Sequence, residues 1–528
     1  MLRTTLAAAL LALALPLSGS AQSGAPAVKA DPPRFADPER RQKLAAAFPE
    51  IDRIFRAYLD GAHVPGAAWA VVIDGEVAHM GQHGVRELEA KTAVTQDTVF
   101  RIASMTKSFT ALAILKLRDE GKLALDDPAE RYVPELAGLA YPTADSPRLT
   151  IRHLLSHAGG FPEDNPWGDQ QLAITDEAMS ALMTQGIPFS NPPGIAYEYS
   201  NFGFAILGRI VARVSGVPYR DYVAERLLAP LDMTSTTLEA DAVAPSRLAL
   251  GYRWEDETWK LEPALADGAF GSMGGMLTSM RDLARYVAFM MSAFPPRDDA
   301  EAGPVRRASL REMQQPWRAR PATVSRGADG GVQLSNLAYA FGLRTTQTCA
   351  LPAIVGHAGG LPGYGSLMLW LPEHGVGILA AGNLTYTGWG PRFDAAFEAL
   401  GRTGGLAPRV PQPSPALVDL RAKVSGLVQR WDDGVADEIA AGNLYLDRSK
   451  DRRRADFEAM RIKHGVCTAG EDFDVENALR GAWTMACERG VVRAAITLSP
   501  TMPPKVQFVS LQSFARAADV PRPAVCPP

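Results

Sequence analysis

The feature that most constrains the fold is a change of hydrophobic period around residue 104. Thr98-Val99-Phe100-Arg101-Ile102 is a β-branched and aromatic run that reads as the end of a strand. Phe109 to Leu117 is an apolar stretch of helix-forming residues, closed by Gly121 where a helix C-terminus favours glycine. A strand that hands over to a buried helix this quickly must turn sharply, and the turn holds Ser104-Met105-Thr106-Lys107. Ser104 is placed at the helix N-terminus, where free backbone N–H groups and the helix dipole favour negative charge. Lys107 follows one turn later on the same face, so its amine reaches the Ser104 hydroxyl. An amine buried enough to stay neutral makes that serine a nucleophile. S-x-x-K alone is short, and a serine cap followed by a lysine is ordinary helix chemistry, so the rest of the chain must decide.

Two further constellations bear on it. Tyr199-Ser200-Asn201 follows the turn-rich Asn191-Pro192-Pro193-Gly194 and precedes an apolar helix from Phe202 to Val211. Tyr199 and Asn201, two apart before a helix, can point the same way. A phenol there relays a proton, and an amide can hold a substrate carbonyl together with the lysine amine. Read alone, the pair is also a packed tyrosine followed by an asparagine cap. His357-Ala358-Gly359-Gly360 lies between Leu351–Gly356 and Tyr364–Trp370, which read as neighbouring strands. The small residues let a substrate backbone lie along the strand edge, and the Gly360 N–H with that of Ser104 can form an oxyanion hole. A lone histidine beside glycines is otherwise a turn residue.

In this order S-x-x-K, Y-x-N and H-x-G resemble the serine β-lactamase and penicillin-binding-protein superfamily. The branch most like this chain holds class C β-lactamases, D-Ala-D-Ala carboxypeptidases, D-aminopeptidases and related esterases. Residues Phe100 to Phe109 resemble that family's nucleophile segment throughout; Leu149–His157, Gly274–Ser279 and Gly363–Ser366 resemble further segments of the branch. The likeness runs over about residues 45 to 405. It implies an α+β catalytic domain, an antiparallel sheet flanked by helices, with a mostly helical insertion and the active site between the two parts. It implies catalytic roles for Ser104, Lys107, Tyr199 and Asn201, with Asn201 orienting both Lys107 and substrate. It assigns substrate or oxyanion contacts to His357, Gly359, Gly360 and Arg344. Other members of the superfamily carry K-T-G at the third element. Here His357 replaces the lysine, and Ala358 and Gly360 lack hydroxyls, which tilts the expectation away from an efficient β-lactamase. Arg344 resembles a position that holds a terminal carboxylate in D,D-carboxypeptidases, though a strand arginine facing solvent fits it as well.

Composition is consistent with more than one core: 528 residues, 47% hydrophobic and 21% charged. A net charge of −4 and the lack of a sustained basic patch exclude a general pull toward nucleic acid, and Arg452-Arg453-Arg454 reads as a solvated helix face. Arg3, the Leu6–Leu17 apolar run and Gly19-Ser20-Ala21 read as an export signal over residues 1–21; the alternative is a retained anchor. No stable membrane anchor is expected after cleavage, and the periplasm is the expected compartment. Cys349, Cys467, Cys487 and Cys526 have no C-x-x-C spacing, so no metal and no cofactor is expected. Three disulfide pairings are open; Cys467 with Cys487, the most local, leaves Cys349 for Cys526.

The expected organisation is a disordered segment over 22–37, a hydrolase domain over 38–403, a Pro/Gly-rich linker over 404–415 and a small α+β domain over 416–528. Within it, Pro38–Ala62 and Leu417–Ala441 each read as one helical stretch, residues 452–463 as another helix, and the runs starting at 482, 491 and 506 as strands. The expected activity is an acyl-enzyme serine hydrolase acting on a small peptide or ester. Short peptides with D-residues come first, peptidoglycan fragments among them, then esters, then β-lactams. The non-enzymatic alternative is a penicillin-binding recognition protein.

Overall fold

Gly66–Ile73 (β1) is buried at every residue, which fixes it in the middle of a sheet covered on both faces. Its alternation sorts the two faces. Ala68, Ala70 and Val72 join one core with Phe109, Tyr286 and Trp370; Ala67, Trp69, Val71 and Ile73 join a second core with Phe55, Trp389 and Phe393. The computed structural model describes residues 28–326 and 331–521. They divide into a larger unit, Phe35–Arg409, and a smaller one that combines residues 28–34 with residues 410–521.

In the larger unit the strands after β1 are Glu76–Glu87 (β2), Thr92–Ala93 (β3), Val99–Arg101 (β4), Tyr252–Glu255 (β5), Thr258–Leu261 (β6), Leu277–Ser279 (β7), Arg318–Ala319 (β8), Thr323–Arg326 (β9), Val332–Tyr339 (β10), Arg344–Thr348 (β11), Ile354–Leu361 (β12), Tyr364–Leu371 (β13) and Val376–Gly382 (β14). Among the described residues ten of them form one sheet, in the order β3-β2-β1-β14-β13-β12-β11-β10-β8 with β9 on β10. The described pairings are antiparallel, and β1 sits against β14, so the two ends of the unit close one sheet. The Phe48–Gly61 and Gly390–Arg402 helices supply the second core, and the Met280–Met291 helix packs on the opposite face. Between β3 and β8 lies the mostly helical region, including the Thr106–Asp119 and Asn201–Ser215 helices. The fold class expected from the sequence is the one found.

Several elements differ from the sequence reading. The single helical stretch at 38–62 is two helices, Arg40–Ala45 and Phe48–Gly61, because Pro49 near the start of the second cannot donate to the preceding turn. Part of the 22–37 segment is ordered: Val28 packs on the core of the smaller unit, and Arg34 exchanges backbone hydrogen bonds with Val410. The export signal and Cys526 lie outside the described residues.

The smaller unit is a four-stranded antiparallel meander, Cys467–Asn477 (β15), Arg480–Cys487 (β16), Val491–Leu498 (β17) and Val506–Phe514 (β18), with helices at Pro415–Gln429, Asp433–Ile439 and Lys450–His464. Its core gathers Leu420, Val424, Leu427, Phe457, Trp483 and Ile496. The expected long helix over 417–441 breaks at residues 430–432, where Arg430 turns extended and the Asp432 carboxylate caps the next helix at Val435 N. β15 is an addition to the expected strands; its acidic, glycine-containing sequence conceals it. Cys467 and Cys487 are cross-strand partners on β15 and β16 and form a disulfide.

Phe55 is fully buried, edge-on to Trp69 and Trp389 and stacked on Phe393 at 5.7 Å. Phe55→Ala is expected to destabilise the larger unit by about 3–5 kcal/mol. Denaturant midpoints of the full chain measure it; a cost under about 1 kcal/mol would mean this aromatic cluster does not hold the helix on the sheet.

Candidate active site

The strand-to-helix turn forms as its sequence requires. β4 ends at Arg101, residues Ala103–Met105 make one 3₁₀ turn, and the long helix begins at Thr106. Ala103 sits at φ 49°, a left-handed conformation that costs energy for a residue with a Cβ. The surroundings hold it there. Arg101 donates to the carbonyls of Gly275 (2.8 Å) and Leu265 (2.6 Å), Thr106 Oγ1 donates to Ala103 O (2.7 Å), and Ser366 Oγ donates to Ile102 O (2.9 Å). β12 lies so close that a methyl on Gly359 would come within 2.1 Å of the Ile102 oxygen. Gly359 is therefore a spacer between sheet and nucleophile turn.

Lys107 is fully buried. Its Nζ stands 3.1 Å from Ser104 Oγ, 2.6 Å from Asn201 Oδ1 and 2.8 Å from Met273 O. Burial pushes its pKa down to about 7, against the attraction of Asp169 and Asp164 and with help from the Arg344 charge. The acceptor set decides what the neutral amine does. Asn201 Oδ1 and the Met273 carbonyl can only accept, so they take the two N–H bonds of a neutral amine. The lone pair is left for Ser104, whose hydroxyl then donates to it. This is a poised general base at a serine, built by one helical turn and two fixed carbonyls.

Tyr199 is buried, and its phenol lies against the Ser104 side chain, with the Lys107 amine 4.9 Å from its ring centre. Burial raises its pKa well above the ordinary phenol value. Tyr199 is thus a phenol at rest, suited to relaying a proton rather than to acting as a standing base. Ser200 caps the Asn201–Ser215 helix by accepting from Gly203 N. That cap turns Asn201 inward.

Asn201 departs from expectation. It is fully buried, its Oδ1 is taken by Lys107, and its Nδ2 donates to Asn165 Oδ1 (3.2 Å). It orients the lysine and does not face the cavity; Asn165 stands in the cavity wall instead. His357, assigned a substrate or oxyanion contact, does border the cavity, but as a buried neutral ring. It is 1% exposed, and burial drives its pKa well below the usual histidine value. Its Nδ1 lies 2.5 Å from Ala358 O and its Nε2 2.9 Å from Tyr339 Oη. The carbonyl can only accept, so Nδ1 carries the proton and Nε2 accepts from the phenol.

These residues border a cavity of about 720 Å³ with Ser104, Tyr199 and Gly360 on its walls. β11 pairs with β12 only as far as Gly356, so from His357 to Leu361 no strand among the described residues pairs with the edge away from β13. Arg344, opposite Gly356, is exposed, lines the cavity and makes no ion pair with a described residue.

Comparison with known proteins places this arrangement. A Beta-lactamase profile matches residues 51–402, two thirds of the chain. This chain belongs to the Beta-lactamase family. Members of the Beta-lactamase family are in general serine hydrolases. The chain is 29% identical over 342 residues to Protein flp of Staphylococcus aureus (strain NCTC 8325 / PS 47), a match spanning 63% of each chain, and so under two thirds of the relative's length. It is 31% identical over 260 residues to Beta-lactamase-like protein 2 of Dictyostelium discoideum, covering 48% of this chain and 47% of that one. The fold is also that of the octameric penicillin-binding protein homologue from Pyrococcus abyssi, at TM-score 0.56 and 22% identity over 88% of this chain and 96% of that chain.

Three contributors to this Beta-lactamase-family site lay outside the sequence reading. Met273 enters through its carbonyl, which any residue could supply. Asn165 has no periodic signal. His157, in the segment already singled out as family-like, packs its ring 4.2 Å from both Tyr199 and Tyr339 and accepts from Ser200 N (3.1 Å), fixing the loop that carries Tyr199.

Two outcomes follow. Below about pH 7 Lys107 holds a proton and cannot accept that of Ser104, so acylation is expected to rise with pH through about 7 and then level. His157 and His357 are pushed below the ordinary histidine value and add no limb there. The rate of fluorophosphonate labelling between pH 5 and 9 checks this, and a flat profile would remove Lys107 as base. Gly359→Val is expected to slow labelling about a hundredfold by displacing the nucleophile turn; a wild-type rate would show that the turn is held elsewhere.

Proposed function

We propose that this protein is an acyl-enzyme serine hydrolase that cleaves short peptides or amides containing D-residues. The observation that carries the reading is the Lys107 amine, whose two N–H bonds are claimed by Asn201 and Met273 and whose lone pair is left to Ser104. Ser104 Oγ attacks the substrate carbonyl carbon and gives its proton to Lys107. The oxyanion is taken by the N–H groups of Ser104 and Gly360, commonly worth about 3–4 kcal/mol per donor. Tyr199 gives its phenolic proton to the departing nitrogen and is reprotonated from Lys107. Deacylation runs the same path in reverse, with water losing a proton and attacking the acyl carbon.

The substrate class rests on Arg344. A guanidinium lining the cavity without an ion-pair partner is suited to a carboxylate on the leaving-group side. That favours peptides with a free C-terminus over simple esters, and the buried neutral His357 in place of a lysine disfavours β-lactams as the preferred substrates. Export to an oxidising compartment follows from the N-terminal sequence and is supported by the Cys467–Cys487 disulfide.

Ser104→Ala is expected to abolish both turnover and covalent labelling. Steady-state rates of the full chain on D-Ala-D-Ala peptides, D-aminoacyl amides, short acyl esters and nitrocefin rank the substrates. Undiminished turnover in Ser104→Ala, or an adduct on another residue, would remove the nucleophile assignment. Faster nitrocefin than peptide hydrolysis would reverse the substrate order.

A further inference from the structure

One charged group in the cavity is used by nothing in this mechanism. Asp169 follows the short Asn165–Gly168 helix, lines the same cavity as Ser104 and is 4% exposed. Its hydrogen-bond partner among the described residues is the phenol of Tyr386, which donates to Oδ2 at 3.0 Å. No arginine, lysine or histidine among the described residues lies within ion-pair distance of it. Buried carboxylates are as a rule paired with a cation, because an uncompensated charge out of water is costly. Burial does raise Asp169 to about 6, which leaves it mostly ionised at neutral pH. The cation whose charge bears on it is Lys107, and that charge is gone in the state that activates Ser104.

The position is informative as well. Tyr386 is 52% exposed and held at φ 53°, a conformation that a bulky aromatic residue rarely adopts. Its ring packs over Gly360, where a methyl would come within 2.6 Å of it. Arg344 is opposite Gly356. The strand edge beside Ser104 therefore carries a cation at its Gly356 end and a phenol-bound carboxylate at its Gly360 end. Four residues of strand separate them, about 13 Å, a span that an extended peptide of about four residues covers with its termini. The acyl half of a substrate occupies the Gly360 end when its carbonyl sits in the proposed oxyanion hole.

We propose that Asp169, held by Tyr386, is the binding site for a substrate ammonium group, so that the preferred substrates carry a free α-amine on the acyl residue. The proposal rests on the acyl-enzyme reading of Ser104 and narrows it to aminoacyl substrates, in which the amine and the scissile carbonyl belong to one residue. The ammonium supplies the cation that the buried carboxylate lacks and donates to its oxygens alongside the Tyr386 phenol. Acylating or removing the amine leaves Asp169 buried against a neutral group.

The test compares D-alanine and N-acetyl-D-alanine as 4-nitrobenzyl esters, and D-alaninamide with N-acetyl-D-alaninamide as ligands that protect Ser104 from a fluorophosphonate. Esters and protection report on the subsite whether or not amides are turned over. In the wild-type full chain the free amine is expected to raise kcat/KM, and to lower the protecting concentration, by about tenfold or more. In Asp169→Asn both ratios are expected to fall toward one, and in Tyr386→Phe, a change at an exposed ring, to fall part of the way. Equal treatment of free and acetylated ligands by the wild-type protein overturns the proposal without any variant, as does a preference that survives in Asp169→Asn. Absence of fluorophosphonate labelling would instead sink the nucleophile assignment; intact labelling with no amine preference sinks the Asp169 site alone.

Discussion

The site depends on one contact set: a fully buried lysine amine facing two carbonyl oxygens and one hydroxyl. Desolvation disfavours the ammonium, while the acceptors and two nearby carboxylates favour it. The balance falls near neutrality, where a base is most useful. Each partner of the amine comes from a different part of the larger unit. Ser104 belongs to the turn after β4, Asn201 to the start of a helix in the insertion, and Met273 to the Gly271–Gly274 segment before β7. The sheet is what brings them together. β13 anchors Ile102 through Ser366, and β12 approaches the same oxygen through Gly359.

The parts of this arrangement that depend on local chain order were legible in the sequence. The period change at residue 104, the Tyr199–Asn201 spacing and the small residues after His357 each express a backbone requirement, and all three gather at one cavity. What stayed hidden were contacts without side-chain identity. The Met273 carbonyl could belong to any residue. Asn165 and Asp169 lie at the two ends of a one-turn helix whose placement is set by tertiary packing, including the approach of Gly168 to Asn201. Asn201 was assigned two tasks because its amide has two ends; burial gives the second end to Asn165. His357 was read as a substrate or oxyanion contact in the place of a lysine; burial between a carbonyl and a phenol keeps it neutral.

Helix breaks show the same limit. A hydrophobic period survives an interruption of two or three residues, so residues 38–62 and 417–441 both read as continuous. The interruptions come from Pro49 and from the Asp432 cap, whose effects on the ladder outweigh the unbroken pattern.

Charge links the two ends of the cavity to the base. Asp169 draws the Lys107 pKa upward and Arg344 draws it downward. An ammonium bound at Asp169 cancels part of the first influence, so it releases the Lys107 proton and favours the nucleophilic state of Ser104. A carboxylate bound at Arg344 cancels part of the second and acts in the opposite sense. On the proposed reading, a substrate with both termini exerts two opposing influences on the amine, whereas one with the amine alone tips it toward the active form. On that reading, the two side chains that would hold the ends of a peptide also set how readily the serine is activated.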